Sequence, residues 1–210
     1  TEFFESKQLD NGWMPVPLSK TTLVCGYIGA VEKALKEIGA KKSTVEDYPK
    51  ELESFLGRRV WQSTLGEVRK DEPRCFIKPK QSKLFNGHVR TGLLQDVIQT
   101  AMCPDETEVY CSESVKIISE WRVFVNNGLM IGCQPYLGDF TLHPDFDTVT
   151  NCINSYKSAP VGYSADFGVT DYSRTILIEI NDAYSLGCYG LPSMPYANLI
   201  KDRWIEIVNA

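Results

Sequence analysis

A short polar turn, Asn126-Asn127-Gly128, constrains the folding of this chain more than any other segment. It separates two apolar runs at 121–125 and 129–135. An Asn-Gly step between apolar runs is a strong signal for a β-hairpin, because both residues tolerate the backbone conformation of a tight turn. We therefore predict two antiparallel strands joined by this turn.

Further strands and helices are predicted on both sides of the hairpin. Apolar runs predict strands at 75–80, 108–112, 162–169 and 175–180, helical periodicity predicts helices at 28–38, 49–56, 92–102, 148–158 and 196–208, and a charged turn is predicted at 69–74. The sum is an α+β chain with antiparallel sheets and flanking helices. The pattern changes at Cys75, which predicts a small N-terminal α/β lobe over 1–74 and a second domain over 75–210.

Composition excludes two classes of protein. With 22 Lys and Arg against 27 Asp and Glu the net charge is −5, and no long basic run is present. This argues against a nucleic-acid partner, because phosphates are neutralised by clustered Lys and Arg. No apolar stretch approaches the roughly 18 residues of a membrane span, and no signal peptide is recognisable. We expect no membrane association.

The cysteines indicate the redox compartment. Seven are scattered along the chain, none in a C-x-x-C pair, and the two histidines, His88 and His143, lie far apart. This usage fits reduced thiols better than a disulfide framework or a zinc site, so we expect a cytoplasmic protein. His143 is expected to be a loop residue rather than a general base.

The segment at 176–182 carries the most chemical information. Glu179 and Asn181 lie two residues apart on a strand, so both side chains point to the same face. If that strand pairs with the one before it, Asp166 lies beside Glu179. Three carboxylate or amide oxygens would then converge, and Mg²⁺ prefers such ligands. The alternative is that these residues form the polar face of an amphipathic hairpin.

Two other segments place charged residues on strands. Lys78 lies near the end of a short strand, where its ammonium group can neutralise a phosphate. A solvated Lys-Pro-Lys turn explains the same sequence. Glu120 and Arg122 share one strand face, which suits a charged site but is also the arrangement of a cross-strand ion pair.

Taken in chain order, these segments resemble the ATP-grasp superfamily of carboxylate–amine ligases. The elements that carry the resemblance are the Lys78 strand, the segment Glu113–Val115, the strand with Glu120 and Arg122, and the set Asp166, Glu179 and Asn181. Glu113 precedes Glu120 by seven residues and Asp166 precedes Glu179 by thirteen, which is similar to the D-alanine–D-alanine ligase pattern. The resemblance covers about residues 75–190. Residues 23–39 are similar to the small lobe that precedes this domain in short bacterial and phage proteins.

The resemblance implies an ATP-grasp fold over 75–210 and a nucleotide-binding role for four residues. Lys78 would contact the α and β phosphates of ATP. The backbone at Glu113 and Val115 would contact the adenine edge, and the Glu120 carboxylate would hold the ribose hydroxyls.

The same resemblance implies a metal site and a catalytic cation. Asp166, Glu179 and Asn181 would hold one or two Mg²⁺ ions that bridge the phosphates. Arg122 would stabilise the transferred phosphoryl group or the acyl-phosphate, with Lys78 as the second catalytic cation.

The chain departs from the family pattern in three ways. The loop after Lys78, at 80–87, contains only one glycine, whereas family members have a glycine-rich lid. A second phosphate-binding lysine upstream has no clear match, and Arg58, Arg59 and Lys70 are the available cations. With 210 residues the substrate-binding lobe is reduced.

The leading hypothesis is an ATP- and Mg²⁺-dependent ligase that activates a carboxylate as an acyl-phosphate for attack by an amine. Its expected partners are ATP and small-molecule or peptide carboxylates and amines, with a homodimer as one arrangement. The alternatives are a nucleotide-binding regulatory module with little turnover and a kinase-like phosphotransferase.

Overall fold

The computed structural model describes residues 2–3, 5–12, 14–41, 43–71, 74–81 and 84–210. Contacts group the chain into two compact units. Unit 1 comprises Thr1–Phe55 and Ile117–Ala210, and unit 2 comprises Leu56–Lys116. The division into domains at Cys75 stays a prediction.

The described residues form six α-helices and eight strands, with two short 3₁₀ helices at Lys50–Phe55 and Ala183–Ser185. The α-helices are α1 (Ser6–Asp10), α2 (Ile28–Glu37), α3 (Leu65–Asp71), α4 (Leu94–Thr100), α5 (Phe146–Ser155) and α6 (Ser193–Asn209). The strands are β1 (Val60–Thr64), β2 (Phe76–Pro79), β3 (His88–Val89), β4 (Glu108–Ser112), β5 (Ile117–Asn126), β6 (Leu129–Gly138), β7 (Gly162–Thr170) and β8 (Thr175–Asp182).

Unit 1 contains a four-stranded antiparallel sheet in the order β6-β5-β7-β8. Strands β5 and β6 form the predicted hairpin, and its turn residues Asn127 and Gly128 have positive φ angles of 51° and 75°. Strands β7 and β8 pair in the same way across the next turn. With the helices beside it, this sheet confirms the predicted α+β class.

Unit 2 contains a second four-stranded sheet in the order β1-β4-β2-β3, and its pairs are all antiparallel. The charged turn predicted at 69–74 is wrong for residues 69–71, which belong to α3. A capping box starts this helix: the Thr64 hydroxyl accepts from the Glu67 N–H at 3.3 Å, and the Glu67 carboxylate accepts from the Thr64 N–H at 3.2 Å.

Helix α6 packs into unit 1 through one continuous buried stripe. The buried residues recur at helical spacing and are Leu199, Ile200, Arg203, Trp204, Ile207 and Val208. The first part of the stripe packs on Phe124 of β5, and the last part packs on Val31 and Leu35 of α2. The stripe therefore ties the N-terminal helix and the sheet into one hydrophobic core.

All seven cysteines are free thiols, as their odd number and scattered positions predict. Burial raises the pKa of the Cys152 thiol to about 12, so this thiol stays uncharged at neutral pH. Over the ranges that the structure covers, no helix is both long enough and apolar enough to cross a membrane.

Arg203 is the one charged residue in the buried stripe of α6. Its Nε and Nη2 donate to the two carboxylate oxygens of Asp182 on β8, each at 2.7 Å. Nη1 donates to Glu206 at 2.6 Å, and Nη2 also donates to the Ser43 hydroxyl at 2.9 Å. Because an unpaired charge is costly to bury, these contacts fix α6 against the end of β8.

We expect Arg203→Ala to destabilise the protein by about 3–5 kcal/mol, because the buried Asp182 carboxylate loses its cation. Lys201→Ala is the matched control on the same helix. Lys201 is exposed and lies 3.6 Å from Asp202, so its loss is expected to cost less than about 1 kcal/mol. Urea-induced unfolding measures both values. Equal, small losses for the two variants would show that the Arg203 contacts contribute no more than a surface ion pair.

Candidate functional site

Strand β7 places polar residues on one face of the sheet in unit 1. The strand is buried along its whole length, and its side chains alternate between two faces. Ser164 and Asp166 occupy the polar face. In the strand register Asp166 lies directly opposite Arg122 of β5 on one side and Glu179 of β8 on the other. The sheet therefore brings these three charged residues together.

Arg122 and Asp166 form a buried ion pair. Arg122 is 6% exposed and Asp166 is 4% exposed. The Arg122 Nε donates to Asp166 Oδ1 at 2.8 Å, and Nη2 donates to Oδ2 at 2.6 Å. Burial by itself would lower the pKa of the guanidinium, but the hydrogen bonds and charge of Asp166 raise it, so Arg122 stays protonated. The cross-strand ion pair considered as an alternative for Arg122 is thus present, with Asp166 as its partner.

Asn181 completes the contacts to Asp166. Its Nδ2 donates to Asp166 Oδ2 at 3.1 Å, which directs its own amide oxygen away from that carboxylate. Asn181 lies opposite Ser164 in the strand register. The predicted residues Asp166 and Asn181 are therefore in direct contact.

A β-bulge on β8 decides which way Glu179 points. Asp166 pairs with Glu179, but the next residue, Phe167, pairs with Leu177, so Ile178 is an extra residue. In a regular strand Leu177 and Glu179 would share a face. Because of the bulge, Leu177 joins the buried apolar face with Phe167, whereas Glu179 joins the polar face with Asp166.

Glu120 adds a third carboxylate to this face of the sheet. It is half-buried and lies two residues before Arg122 on β5. Burial raises the pKa of its carboxyl group, and the negative charges of Asp166 and Glu179 raise it further. Three carboxylates and one guanidinium therefore share this face, which leaves an excess of negative charge.

The residues of this face fit a magnesium ion by their chemistry. Carboxylate and amide oxygens are the ligands that Mg²⁺ takes, and a divalent cation would offset the excess negative charge. The Ser164 hydroxyl is buried beside Asn181 without a hydrogen-bond partner in the described part of the chain. No three Asp, Glu, His or Cys side chains among the described residues are arranged to hold a metal ion. A metal here would need Asn181 and oxygens of a substrate as well as Asp166 and Glu179.

The predicted adenine- and phosphate-binding residues lie in unit 2. Lys78 is half-buried on β2, and a Cβ on Gly87 would lie 3.3 Å from the Lys78 Cβ, so the loop returns over this strand. Glu113 follows β4, where its carboxylate accepts from the Arg59 N–H at 2.9 Å. Val115 is half-buried in the same segment. Residues 82 and 83 of the predicted lid loop lie outside the described residues.

The cations considered for a second phosphate contact also lie in unit 2. Arg58 donates to the Leu56 carbonyl oxygen at 3.0 Å, and the Arg59 guanidinium lies 4.4 Å from the ring centre of Trp61. Lys70 is exposed on α3. A phosphate-binding role for any of them stays a prediction.

His143 lies away from the polar face of the sheet. Its ring stacks on Trp121 with the ring centres 4.6 Å apart, in the loop between β6 and α5. Trp121 precedes Arg122 on β5, so its side chain points to the opposite face of the strand. The placement agrees with the expected loop role of His143.

Two tyrosines beside Arg122 were not predicted from the sequence. The Arg122 guanidinium lies 5.3 Å from the ring centre of Tyr136 and 4.7 Å from that of Tyr189. Burial raises the pKa of Tyr136 to about 12, with a further contribution from Tyr189. The glycines on either side of Tyr189, at 187 and 190, are the only sequence signal of an unusual loop there.

Comparisons with known proteins identify a family model and a set of solved structures. Residues 55–199 match a model described as an ATP-grasp domain, family 2 of its clade. Comparison with curated proteins gave no match. The N5-carboxyaminoimidazole synthetase from Staphylococcus aureus is 9% identical with a TM-score of 0.48, over 73% of this chain and 49% of that chain. This chain therefore spans about half the length of that enzyme.

Two further similar structures are described as ligases. The ATP-grasp ligase PsnB complexed with minimal precursor is 15% identical with a TM-score of 0.47, over 83% of this chain and 69% of that chain. The D-alanine–D-alanine ligase from Bacillus anthracis complexed with ATP is 14% identical with a TM-score of 0.42, over 76% of this chain and 60% of that chain.

The crowded negative charge predicts a pH-dependent gain of stability in Glu120→Gln. The raised pKa of Glu120 means that its carboxylate is less stable in the folded chain than in the unfolded chain. The folded protein therefore loses stability as the pH rises through the unfolded and then the folded pKa of Glu120. We expect Glu120→Gln to melt at a higher temperature than the wild type at neutral pH, with the difference narrowing as the pH falls through this window.

Glu53→Gln is the control for this effect, because Glu53 is exposed on the short helix at Lys50–Phe55. It is expected to leave the melting temperature unchanged at every pH. A Glu120→Gln protein that melts at a lower temperature than the wild type at neutral pH would contradict the assigned repulsion.

Proposed function

The chain belongs to the ATP-grasp superfamily, as a member of the domain family that its residues 55–199 match, and on that premise we propose that it is an ATP- and Mg²⁺-dependent ligase that joins a carboxylate to an amine. The observation that carries this proposal is the buried Arg122–Asp166 pair, with Glu179 and Asn181 beside it on one face of the sheet. A permanent cation beside oxygen ligands for Mg²⁺ suits the transfer of a phosphoryl group, whose negative charge must be offset.

The proposed reaction has two steps. In the first, an oxygen of the substrate carboxylate forms a bond to the γ-phosphorus of ATP while the bond from that phosphorus to the β–γ bridging oxygen breaks, giving an acyl-phosphate and ADP. In the second, the amine nitrogen attacks the acyl carbon, inorganic phosphate leaves with the C–O bond electrons, and the nitrogen loses a proton. The carboxylate needs this activation because its oxygen is otherwise a poor leaving group.

Asp166, Glu179 and Asn181 are proposed to hold Mg²⁺, which would supply charge neutralisation at the phosphates. Arg122 is proposed to donate hydrogen bonds to oxygens of the transferred phosphoryl group or the acyl-phosphate. Its planar guanidinium is suited to this task because it stays charged and donates from a fixed edge. No side-chain nucleophile is required by this reaction.

The proposed contacts to the nucleotide follow the family resemblance. Lys78 would contact the α and β phosphates, the backbone at Glu113 and Val115 would contact the adenine edge, and Glu120 would hold the ribose hydroxyls. The acceptor is proposed to be a small-molecule or peptide amine, in a cytoplasmic protein.

One observation favours a second candidate, a nucleotide-binding regulatory module with little turnover. The loop at 80–87 has a single glycine, and the expected second phosphate-binding lysine has no match. Incubation with ATP, Mg²⁺ and a panel of carboxylates and amines separates the candidates. A ligase releases ADP and phosphate together with an amide, a kinase leaves a stable phosphoester, and a regulatory module binds ATP without turnover.

Glu179→Gln tests the metal role. Loss of one carboxylate from the proposed site should abolish Mg²⁺-dependent release of ADP while the protein still folds, because both charge and ligand geometry are lost. Asp171→Asn, an exposed carboxylate in the turn of the same β-hairpin, is the matched control and is expected to keep wild-type turnover. Undiminished turnover in a folded Glu179→Gln protein would refute the metal role.

Lys78→Ala tests the phosphate role. Because an ammonium group addresses phosphates and not the base, we expect weaker binding of ATP and unchanged binding of adenosine. Lys80→Ala is the matched control, since the Lys80 Nζ already contacts Gln62 and Glu108, each at 3.1 Å. Isothermal titration with both ligands gives the comparison. If ATP and adenosine weaken equally in Lys78→Ala, the lysine has a structural role.

A further inference from the structure

The Arg122 guanidinium is enclosed between two aromatic rings. Tyr136 and Tyr189 lie 5.3 and 4.7 Å from it, and their own ring centres are 5.0 Å apart in an edge-to-face arrangement. The rings are 40% and 43% exposed, whereas the Arg122 side chain is 8% exposed. A cation over the face of a tyrosine is attracted by the negative face of the ring. The rings therefore shield the guanidinium from water and restrict its movement.

A β-bulge aims Tyr136 at the guanidinium. Trp121 pairs with Pro135 and Glu120 pairs with Leu137, which leaves Tyr136 as the extra residue on β6. A bulge re-aims a side chain that a regular strand would place elsewhere. This irregularity occurs beside Arg122, although a regular β5–β6 pair would leave fewer backbone groups unpaired.

A left-handed backbone conformation places Tyr189 on the same guanidinium. Its φ is +43°, a region that non-glycine residues rarely adopt and that costs about 1–3 kcal/mol. Gly190 follows at φ +89°. A Cβ on Gly187 would lie 2.8 Å from the Tyr189 ring, so only glycine leaves room for the ring at that position. Such strain persists only where the surrounding structure holds it in place.

The next residues anchor this loop to the sheet. The Leu191 N–H donates to the Cys188 carbonyl oxygen at 2.7 Å, which closes a tight turn around Tyr189. The Leu191 side chain packs where a Cβ on Gly132 of β6 would lie, and it is buried with Phe124 in one hydrophobic cluster. The position of the Tyr189 ring is therefore fixed by the core as well as by its own backbone.

These contacts leave one edge of Arg122 for a ligand. Nε and Nη2 donate to Asp166, and the ring positions of Tyr136 and Tyr189 hold the group from two sides. Nη1 carries two further N–H groups, and no residue in the described ranges accepts a hydrogen bond from it. The guanidinium is therefore fixed in orientation, with Nη1 as its remaining donor.

We propose that Tyr136 and Tyr189 are positioning residues that hold the Arg122 guanidinium so that Nη1 donates to an oxygen of the phosphoryl group in transfer. This role rests on the proposed function, because it requires phosphoryl transfer at Arg122. A bulge and a strained turn, in two separate segments, aim both rings at one cation. A donor held in place before the reaction stabilises developing charge without the cost of reorganisation.

The test compares the binding of two ligands in the presence of Mg²⁺. ADP alone occupies the nucleotide site, and ADP with aluminium fluoride adds a mimic of the phosphoryl group in transfer. We expect wild-type protein to bind ADP at least about tenfold more tightly with aluminium fluoride than without it, because a site for phosphoryl transfer favours the transition state. Isothermal titration measures both affinities, and their ratio is the gain due to the phosphoryl mimic.

Two variants remove the rings. Tyr189→Gly also relieves the left-handed strain, so a loss of backbone stability is not expected to explain its effect. Tyr136→Leu keeps an apolar side chain of moderate size. Each is expected to lower the gain by about three- to tenfold while the affinity for ADP alone changes little. Tyr189→Phe and Tyr136→Phe keep the rings and are expected to keep the gain.

Tyr172→Leu is the control for loss of a tyrosine, because Tyr172 is exposed in the turn between β7 and β8. It is expected to behave as the wild type, and melting temperatures show whether each variant is folded. A full gain in Tyr189→Gly and Tyr136→Leu would overturn the positioning role. Equal losses in the Phe variants would overturn it too, by assigning the effect to the hydroxyl groups.

The behaviour of the wild type separates this proposal from the proposed function. If the wild type binds ADP but shows no gain with aluminium fluoride, the positioning role is overturned while nucleotide binding stands. If the wild type does not bind ADP with Mg²⁺, the proposed function fails and the positioning role fails with it.

Discussion

The buried ion pair between Arg122 and Asp166 is the interaction on which the rest of the candidate site depends. Taking two charges out of water costs several kcal/mol per ion, which is offset only by close and well-aligned hydrogen bonds. The pair meets this condition because β5 and β7 place the residues directly opposite each other and both oxygens of Asp166 accept from the guanidinium. A shift in strand register would leave both charges unpaired in the interior.

Strand β8 is held from both of its faces by this pair and by a second buried one. Asn181 points to the polar face and donates to Asp166, whereas the next residue, Asp182, is bound by Arg203 of α6. The Ile180 N–H also donates to the Asp47 carbonyl oxygen at 2.9 Å. The orientation of Asn181 is therefore coupled to the packing of α6 and of the N-terminal segment, which gives the two regions of unit 1 a common effect on the site.

Local irregularities are concentrated around the same ion pair, and they lower stability there. The bulge at Ile178 turns Glu179 towards carboxylates that repel it, and the left-handed Tyr189 adds backbone strain. Burial and like charges also raise the pKa of Glu120. Proteins tolerate such costs where a site needs a fixed, charged geometry, and they recover the stability elsewhere. Here the apolar stripe of α6 and the fully buried β7 supply the compensating burial.

The sequence by itself determined the elements and the faces of their residues. The Asn127-Gly128 turn predicted the β5–β6 hairpin, and the two-residue spacing of Glu179 and Asn181 placed both on one face. These are local properties, since hairpin turns and strand alternation depend on residues close in sequence. The order of charged residues also sufficed for the family resemblance, because motif spacing is a property of the chain.

Only the tertiary structure decided which side chains meet. Arg122 shares a strand face with Glu120, yet its partner is Asp166, because the directly opposed position on the neighbouring strand is closer than the next residue along its own face. The bulge at Tyr136 and the left-handed turn at Tyr189 have no clear local signature, and they bring together residues 53 positions apart in the chain. Strand register and bulges are set by packing among distant segments, which local patterns do not encode.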